Sequence, residues 1–152
     1  MRYSVDRHRI PADREEDTQL SEVLEAIRAS EGRMYKKAGP IIRAELLQQL
    51  TARGWPGEVA LSSGSDTTIT SLRNRTGLCL QTGNFARVYA DLLKLQHLYV
   101  GGRIDRAILV TWGADAAVEL GENLANAKRV TRELKLFSNV LPTPMYLVSI
   151  EE

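Results

Sequence analysis

Residues 69–84 read I-T-S-L-R-N-R-T-G-L-C-L-Q-T-G-N, and the fold turns on how this run is parsed. On either side of Arg73-Asn74-Arg75 lie short segments rich in β-branched and apolar residues, T-T-I-T-S-L before and T-G-L-C-L-Q after. Asn in a short polar break between two such segments is the signature of a tight turn, so the run is predicted to be a hairpin. Upstream, E-V-A-L-S-S is separated from it by Gly64-Ser65-Asp66, which extends the hairpin to a three-strand meander.

Outward from the meander the period changes to that of helices. Asn84 has the short polar oxygen of an N-cap, and Phe85, Val88, Tyr89, Leu92, Leu93 and Leu95 follow at helical spacing before Gly101-Gly102. I-D-R-A-I-L-V-T-W has the continuous apolar character of a strand buried on both faces. A further helix is expected over residues 117–137, from Leu120, Leu124, Ala127, Val130 and Leu134, and M-Y-L-V-S-I closes the order as a strand after Pro142 and Pro144. On the other side, two helices are expected over residues 15–29 and 40–53. The second ends at Gly54, with Pro56 barring continuation. Residues 1–14 are charged and are expected to form a flexible arm. The result is a single α/β domain: two N-terminal helices, a meander, then β-α-β units, giving a mixed sheet flanked by helices.

Composition narrows the function classes. The 152 residues are 43% hydrophobic and 26% charged, ordinary values for a globular domain. No apolar run approaches a membrane span, and one cysteine excludes an internal disulfide or a Cys-rich zinc site, so a reduced, cytoplasmic protein is expected. Net charge is +1, but residues 1–35 carry eight acidic and six basic side chains, whereas residues 73–106 carry six basic and two acidic ones. That local excess is compatible with a phosphate partner and equally with a solvated surface. Gly83 precedes a helix, yet neither G-x-x-x-x-G-K nor G-x-G-x-x-G occurs. His8 and His97 are far apart in sequence, and Cys79 between Leu78 and Leu80 has the setting of an inert core thiol.

The run from Ile69 through the following helix resembles the BglII-like restriction endonucleases, a branch of the PD-(D/E)xK nucleases. Their corresponding run reads approximately I-D-x-x-K-x-x-x-G-V-E-V-Q-x-G-N. The resemblance extends through I-D-R-A-I-L-V and V-L-P-T-P-M-Y-L-V-S-I, over residues 40–150, with Q-T-G-N and Y-A-D-L-L its most distinctive parts. It implies the restriction-endonuclease core, a homodimer and duplex DNA as partner. In the matching positions the first metal-binding aspartate falls on Thr70 and the glutamate on Cys79, while Gln81 matches the third motif position. A hydroxyl and a thiol are poor ligands for Mg²⁺, which prefers charged oxygen donors, so no catalytic residue or cofactor is expected. The resemblance implies a DNA contact for Asn84, a position that equally suits a helix cap. Arg73 and Arg75 at the hairpin turn and Arg87 on the next helix are read as phosphate contacts, with solvated charge the alternative, and Lys36 and Lys37 beside Tyr35 are expected to clasp a duplex. Three functions are left open. They are a degenerate relative that binds DNA, possibly in restriction or anti-phage defence, a Mg²⁺-dependent endonuclease with carboxylates relocated to Asp66, Glu45 or Asp91, and a non-catalytic subunit that pairs with an active nuclease.

Overall fold

The structure, a computed structural model, describes residues 1–14 and 17–152. The charged N-terminus is not an arm. Arg2–His8 forms strand β1, paired antiparallel along its whole length with the last strand, β7 (Met145–Glu151). Tyr3 and Val5 alternate inward onto the core while Arg2, Ser4 and Asp6 face out. Charge on the outward positions of an edge strand blunts pairing with other chains, and such a strand reads as a polar tail when its alternation is overlooked.

Helix α1 spans Thr18–Ala29, with the Asp17 carboxylate capping the Leu20 N–H at 3.0 Å. The first two residues of the expected helix, 15 and 16, lie outside the described residues. Helix α2, Gly39–Ala52, starts with proline in its first turn, where no amide donor is needed. Next come β2 (Val59–Ala60), β3 (Thr68–Ile69), β4 (Ser71–Arg73) and β5 (Thr76–Leu80). Helix α3 (Arg87–Val100), β6 (Arg106–Trp112), α4 (Ala114–Leu120), α5 (Ala127–Leu136) and β7 complete the chain.

The main sheet has the order β1-β7-β6-β5-β4, with β5, β6 and β7 parallel and both edges antiparallel. The mixed α/β architecture is as expected; the meander within it is divided. β2 and β3 pair as a separate two-stranded ribbon, and only β4 joins β5. Asn74 and Arg75 both have positive φ, 45° and 60°, the two-residue hairpin geometry whose twist matches the strands.

The expected helix over 117–137 is two helices. Asn123 has φ 56°, which a helix cannot contain, and the Asn126 side chain caps α5 by accepting from the Arg129 N–H at 3.0 Å. α4 packs with α1 and α2 on one sheet face, around Leu78, Leu80, Ile108, Val110, Val148 and Ile150. α3 and α5 pack on the other, around Cys79, Ala107, Leu109 and Leu147. Strand alternation therefore feeds two cores, and each fully buried Leu or Ile contributes about 1.5–3 kcal/mol. No helix among the described residues is long and apolar enough to cross a membrane.

Candidate nucleic-acid interface at the end of β5

The segment between α4 and α5 passes over the ends of β5 and β6 and fixes the loop that follows β5. Phe85 N–H donates to the Asn123 carbonyl and Ala125 N–H to the Gly83 carbonyl, each at 2.9 Å. From the other side the Trp112 indole N–H donates to the Thr82 carbonyl at 2.9 Å. Residues 82–85 are thus held from two directions, beside an open cleft of about 590 Å³. Its lining includes Arg43 of α2, Glu58, Thr70, Gln81, Arg87, Asp91 and Lys94.

Thr70 lies at the break between β3 and β4. Its hydroxyl oxygen accepts the Leu80 N–H at 2.9 Å, so the side chain replaces a ladder acceptor where the strand is interrupted. Cys79 is buried in the α3-side core with Ile69, Phe85 and Val88. Burial pushes its thiol well above the ordinary range, the Asp91 carboxylate adds to the shift, and the thiol stays protonated. Such a group is neither a nucleophile nor a metal ligand. Gln81 points to the same side. Its amide donates to Asp91 Oδ2 at 2.6 Å, its oxygen accepts the Gly83 N–H at 3.1 Å, and Asp91 Oδ1 pairs with Lys94 at 3.1 Å. The cleft floor is therefore a closed polar chain from Gly83 through Gln81 and Asp91 to Lys94.

Thr70, Gln81, Asp91 and Arg87 are brought together; the other expected positions are not. Glu45 accepts the Glu31 N–H at 2.6 Å, tying α2 to the loop after α1, and Asp66 is exposed on the ribbon turn outside the cleft. Arg73 donates to the Arg53 carbonyl and pairs with Glu22 at 3.4 Å, fastening the hairpin to the two N-terminal helices. Arg75 makes a two-pronged pair with Asp105 at 2.8 and 2.9 Å, and this hydrogen bonding holds the Asp105 carboxyl below its usual range. Asn84 is exposed and accepts the Ala86 N–H at 2.8 Å, forming a turn ahead of a helix that begins two residues later than expected. Lys36 and Lys37 are exposed in the loop before α2, outside the cleft lining.

Two cleft residues were missed by sequence reasoning, Arg43 and Glu58. Arg43 donates through Nη1 to the Leu80 carbonyl and to Thr82 Oγ1 at 3.4 Å. Burial lowers its pKa while the Asp91 and Glu58 charges act in the opposite direction, and the guanidinium remains cationic. The donor set does not fit Mg²⁺: a spent hydroxyl, a protonated core thiol and a neutral amide replace charged oxygens, with a fixed cation beside them. Among the described residues no group of three or more His, Cys, Asp or Glu side chains is placed to hold a metal ion.

No curated protein sequence matches the chain. Among solved structures it is similar to the restriction endonuclease BglII complexed with a DNA 16-mer, at TM-score 0.86 and 15% identity over 100% of this chain and 79% of that one. It is also similar to free BglII, at TM-score 0.73 and 16% identity over 100% and 80% respectively. The model of the restriction endonuclease BglII/BglIII family matches residues 10–150, which takes in the divided meander, the loop held over β5 and the cleft beside it: the chain belongs to that family.

Proposed function

We propose that the protein is a catalytically degenerate member of its family that binds duplex DNA through the cleft at the end of β5 without hydrolysing it. The observation that carries this reading is the pairing of an intact scaffold with a neutral Thr70, Cys79 and Gln81 at its reactive position. Hydrolysis assisted by Mg²⁺ needs anionic oxygens that hold the ion against its hydration shell, and these side chains supply none. Arg87 and Lys94 at the same cleft supply positive charge suited to a phosphate backbone. The setting proposed is cytoplasmic, in restriction or anti-phage defence, and the assembly a homodimer. In support of the latter, Tyr89 and Leu93 on α3 and Leu136, Phe137 and Val140 at the end of α5 are exposed apolar groups on neighbouring elements, joined by an edge-to-face Tyr89–Phe137 contact at 6.4 Å.

The test is binding of a labelled duplex of random sequence across a salt series with Mg²⁺ present, the product then run on a denaturing gel. Binding that weakens steeply with salt and leaves DNA intact is the expected result. Cuts abolished by Asp91→Asn would replace this reading with a relocated active site, since Asp91 is the one of the three alternative acids that lines the cleft. Absence of binding at low salt, with another chain co-purifying, would assign the fold to protein pairing.

A further inference from the structure

Arg43 is an unusual presence in this cleft. It reaches from α2 to the carbonyl that ends β5, a contact between residues 37 apart in sequence, and is anchored through one guanidinium nitrogen. Among the described residues its Nε and Nη2 donors make no hydrogen bond, and it forms no ion pair with Asp91 or Glu58, although both charges act on it. A guanidinium carries five N–H donors in a planar fork. Here the two on Nη1 are turned to the protein and three are left for whatever enters. The side chains around it add to its charge: Arg87 is exposed on the lip, and Lys94 lies behind Asp91.

We propose that the cleft takes a phosphate group directly on the Arg43 fork, with no bridging cation, and that in duplex DNA this group is a backbone phosphodiester. The inference rests on the DNA-binding reading above and adds the mode of contact. A metal site reaches phosphate by two steps of charge reversal, anionic side chains to cation and cation to anion. With neutral groups at 70, 79 and 81 the first step is gone, and Arg43 puts a positive charge in the wall of the cleft. Its backbone anchor fixes the fork before the ligand arrives, and paired N–H donors match phosphate oxygens.

The experiment uses the intact chain with a chelator throughout. Labelled duplex is titrated against wild type, Arg43→Gln and Arg43→Lys over a salt series. Separately, inorganic phosphate is titrated into wild type while the arginine Nε–H resonances are followed by NMR, with Arg43→Lys identifying the Arg43 signal. Wild-type affinity should be the same in chelator as in Mg²⁺ at matched ionic strength. Arg43→Gln should weaken binding by about tenfold or more and lower the salt slope by about 0.9. Arg43→Lys should keep the slope and lose affinity, and phosphate should shift the Arg43 Nε–H signal. If duplex binding requires Mg²⁺, or if Arg43→Gln changes neither affinity nor slope, the inference is overturned and DNA binding stands. If phosphate shifts Arg43 but no duplex binds, the phosphate site stands and the duplex reading falls. If neither ligand has an effect, both fall, and the phosphate titration decides this even should Arg43→Gln fail to fold.

Discussion

Restoring acids to the strand break, as Thr70→Asp with Cys79→Glu, should give a folded, destabilised, pH-sensitive protein that gains affinity for Mn²⁺. The two positions are neighbours, since the Thr70 backbone and the Asp91 carboxylate are both close enough to act on the Cys79 thiol. A carboxyl at position 79 enters a site 2% exposed to solvent. It will be buried protonated rather than charged, which at pH 7 costs about 3.7 kcal/mol for a group with an ordinary pKa of about 4.3. For a domain of this size that lowers Tm by roughly 7–15 °C. At pH 5 the same term falls to about 1 kcal/mol, so the deficit should shrink on acidification. Any cost from the larger side chain's packing is independent of pH and is read from what remains.

Mn²⁺ at 100 times its dissociation constant should return about 2.7 kcal/mol. Arg43 opposes this gain, because its anchored guanidinium neutralises the introduced acids and competes for them; adding Arg43→Gln should therefore enlarge the Mn²⁺ effect. Thermal unfolding at pH 5 and 7 with calorimetric titration of Mn²⁺ provides the readout. A folded double variant with a pH-independent deficit and no Mn²⁺ stabilisation, with or without Arg43→Gln, would refute this placement of the site.

Further predictions concern the wild-type chemistry. The Cys79 thiol has a folded pKa raised above its unfolded value, so above about pH 8.5 the unfolded chain releases a proton the folded one keeps. Stability should fall with rising pH by about 2 kcal/mol at pH 10, and Cys79→Ala should abolish that part of the alkaline loss in denaturant melts. Gln81→Leu removes the donor to Asp91 and the acceptor for Gly83, and should lower stability by about 2 kcal/mol in urea. The Asp105 carboxyl should titrate by NMR below an ordinary aspartate, returning upward in Arg75→Gln. Whatever this exposed pair adds to stability is present above the unfolded carboxyl pKa of about 3.9 and lost as pH falls through the lower folded value.

The sheet centre was legible because local and global signals agree there. A polar two-residue turn, β-branched flanks and an apolar strand all require the β4–β5 hairpin beside β6. Two elements misled for opposite reasons. The N-terminal strand hid its alternation beneath charge. The 117–137 segment keeps a helical spacing of Leu120, Leu124, Ala127, Val130 and Leu134 that is coincidental: Leu120 and Leu124 pack in one core and the last three in the other, on opposite faces of the sheet. A single helix cannot serve both. Of the cleft residues, Thr70 and Gln81 could be singled out from the strand pattern and the family resemblance, which also marked Cys79, a core residue outside the lining. Arg43 and Glu58 could not, because a cleft is assembled from segments whose approach is set by packing and leaves no periodic trace.

The charge of the cleft gives these replacements a direction. Its lining has three cationic side chains, Arg43, Arg87 and Lys94, and two anionic ones, Glu58 and Asp91. An ionised acid at 70 would cancel that net positive charge, and a second at 79, buried protonated until a cation draws off its proton, would then turn it negative. The scaffold stays in place, since the Trp112 and Asn123 contacts that hold the loop involve neither side chain. A cleft without net positive charge does not draw in DNA until a cation enters; a net positive one attracts it without help. The scaffold that positions a reactive phosphate is thus compatible with holding a phosphate unreacted. On the proposed reading, with neutral groups at 70, 79 and 81, no cation is held there to activate water and docking ends at the ground-state complex.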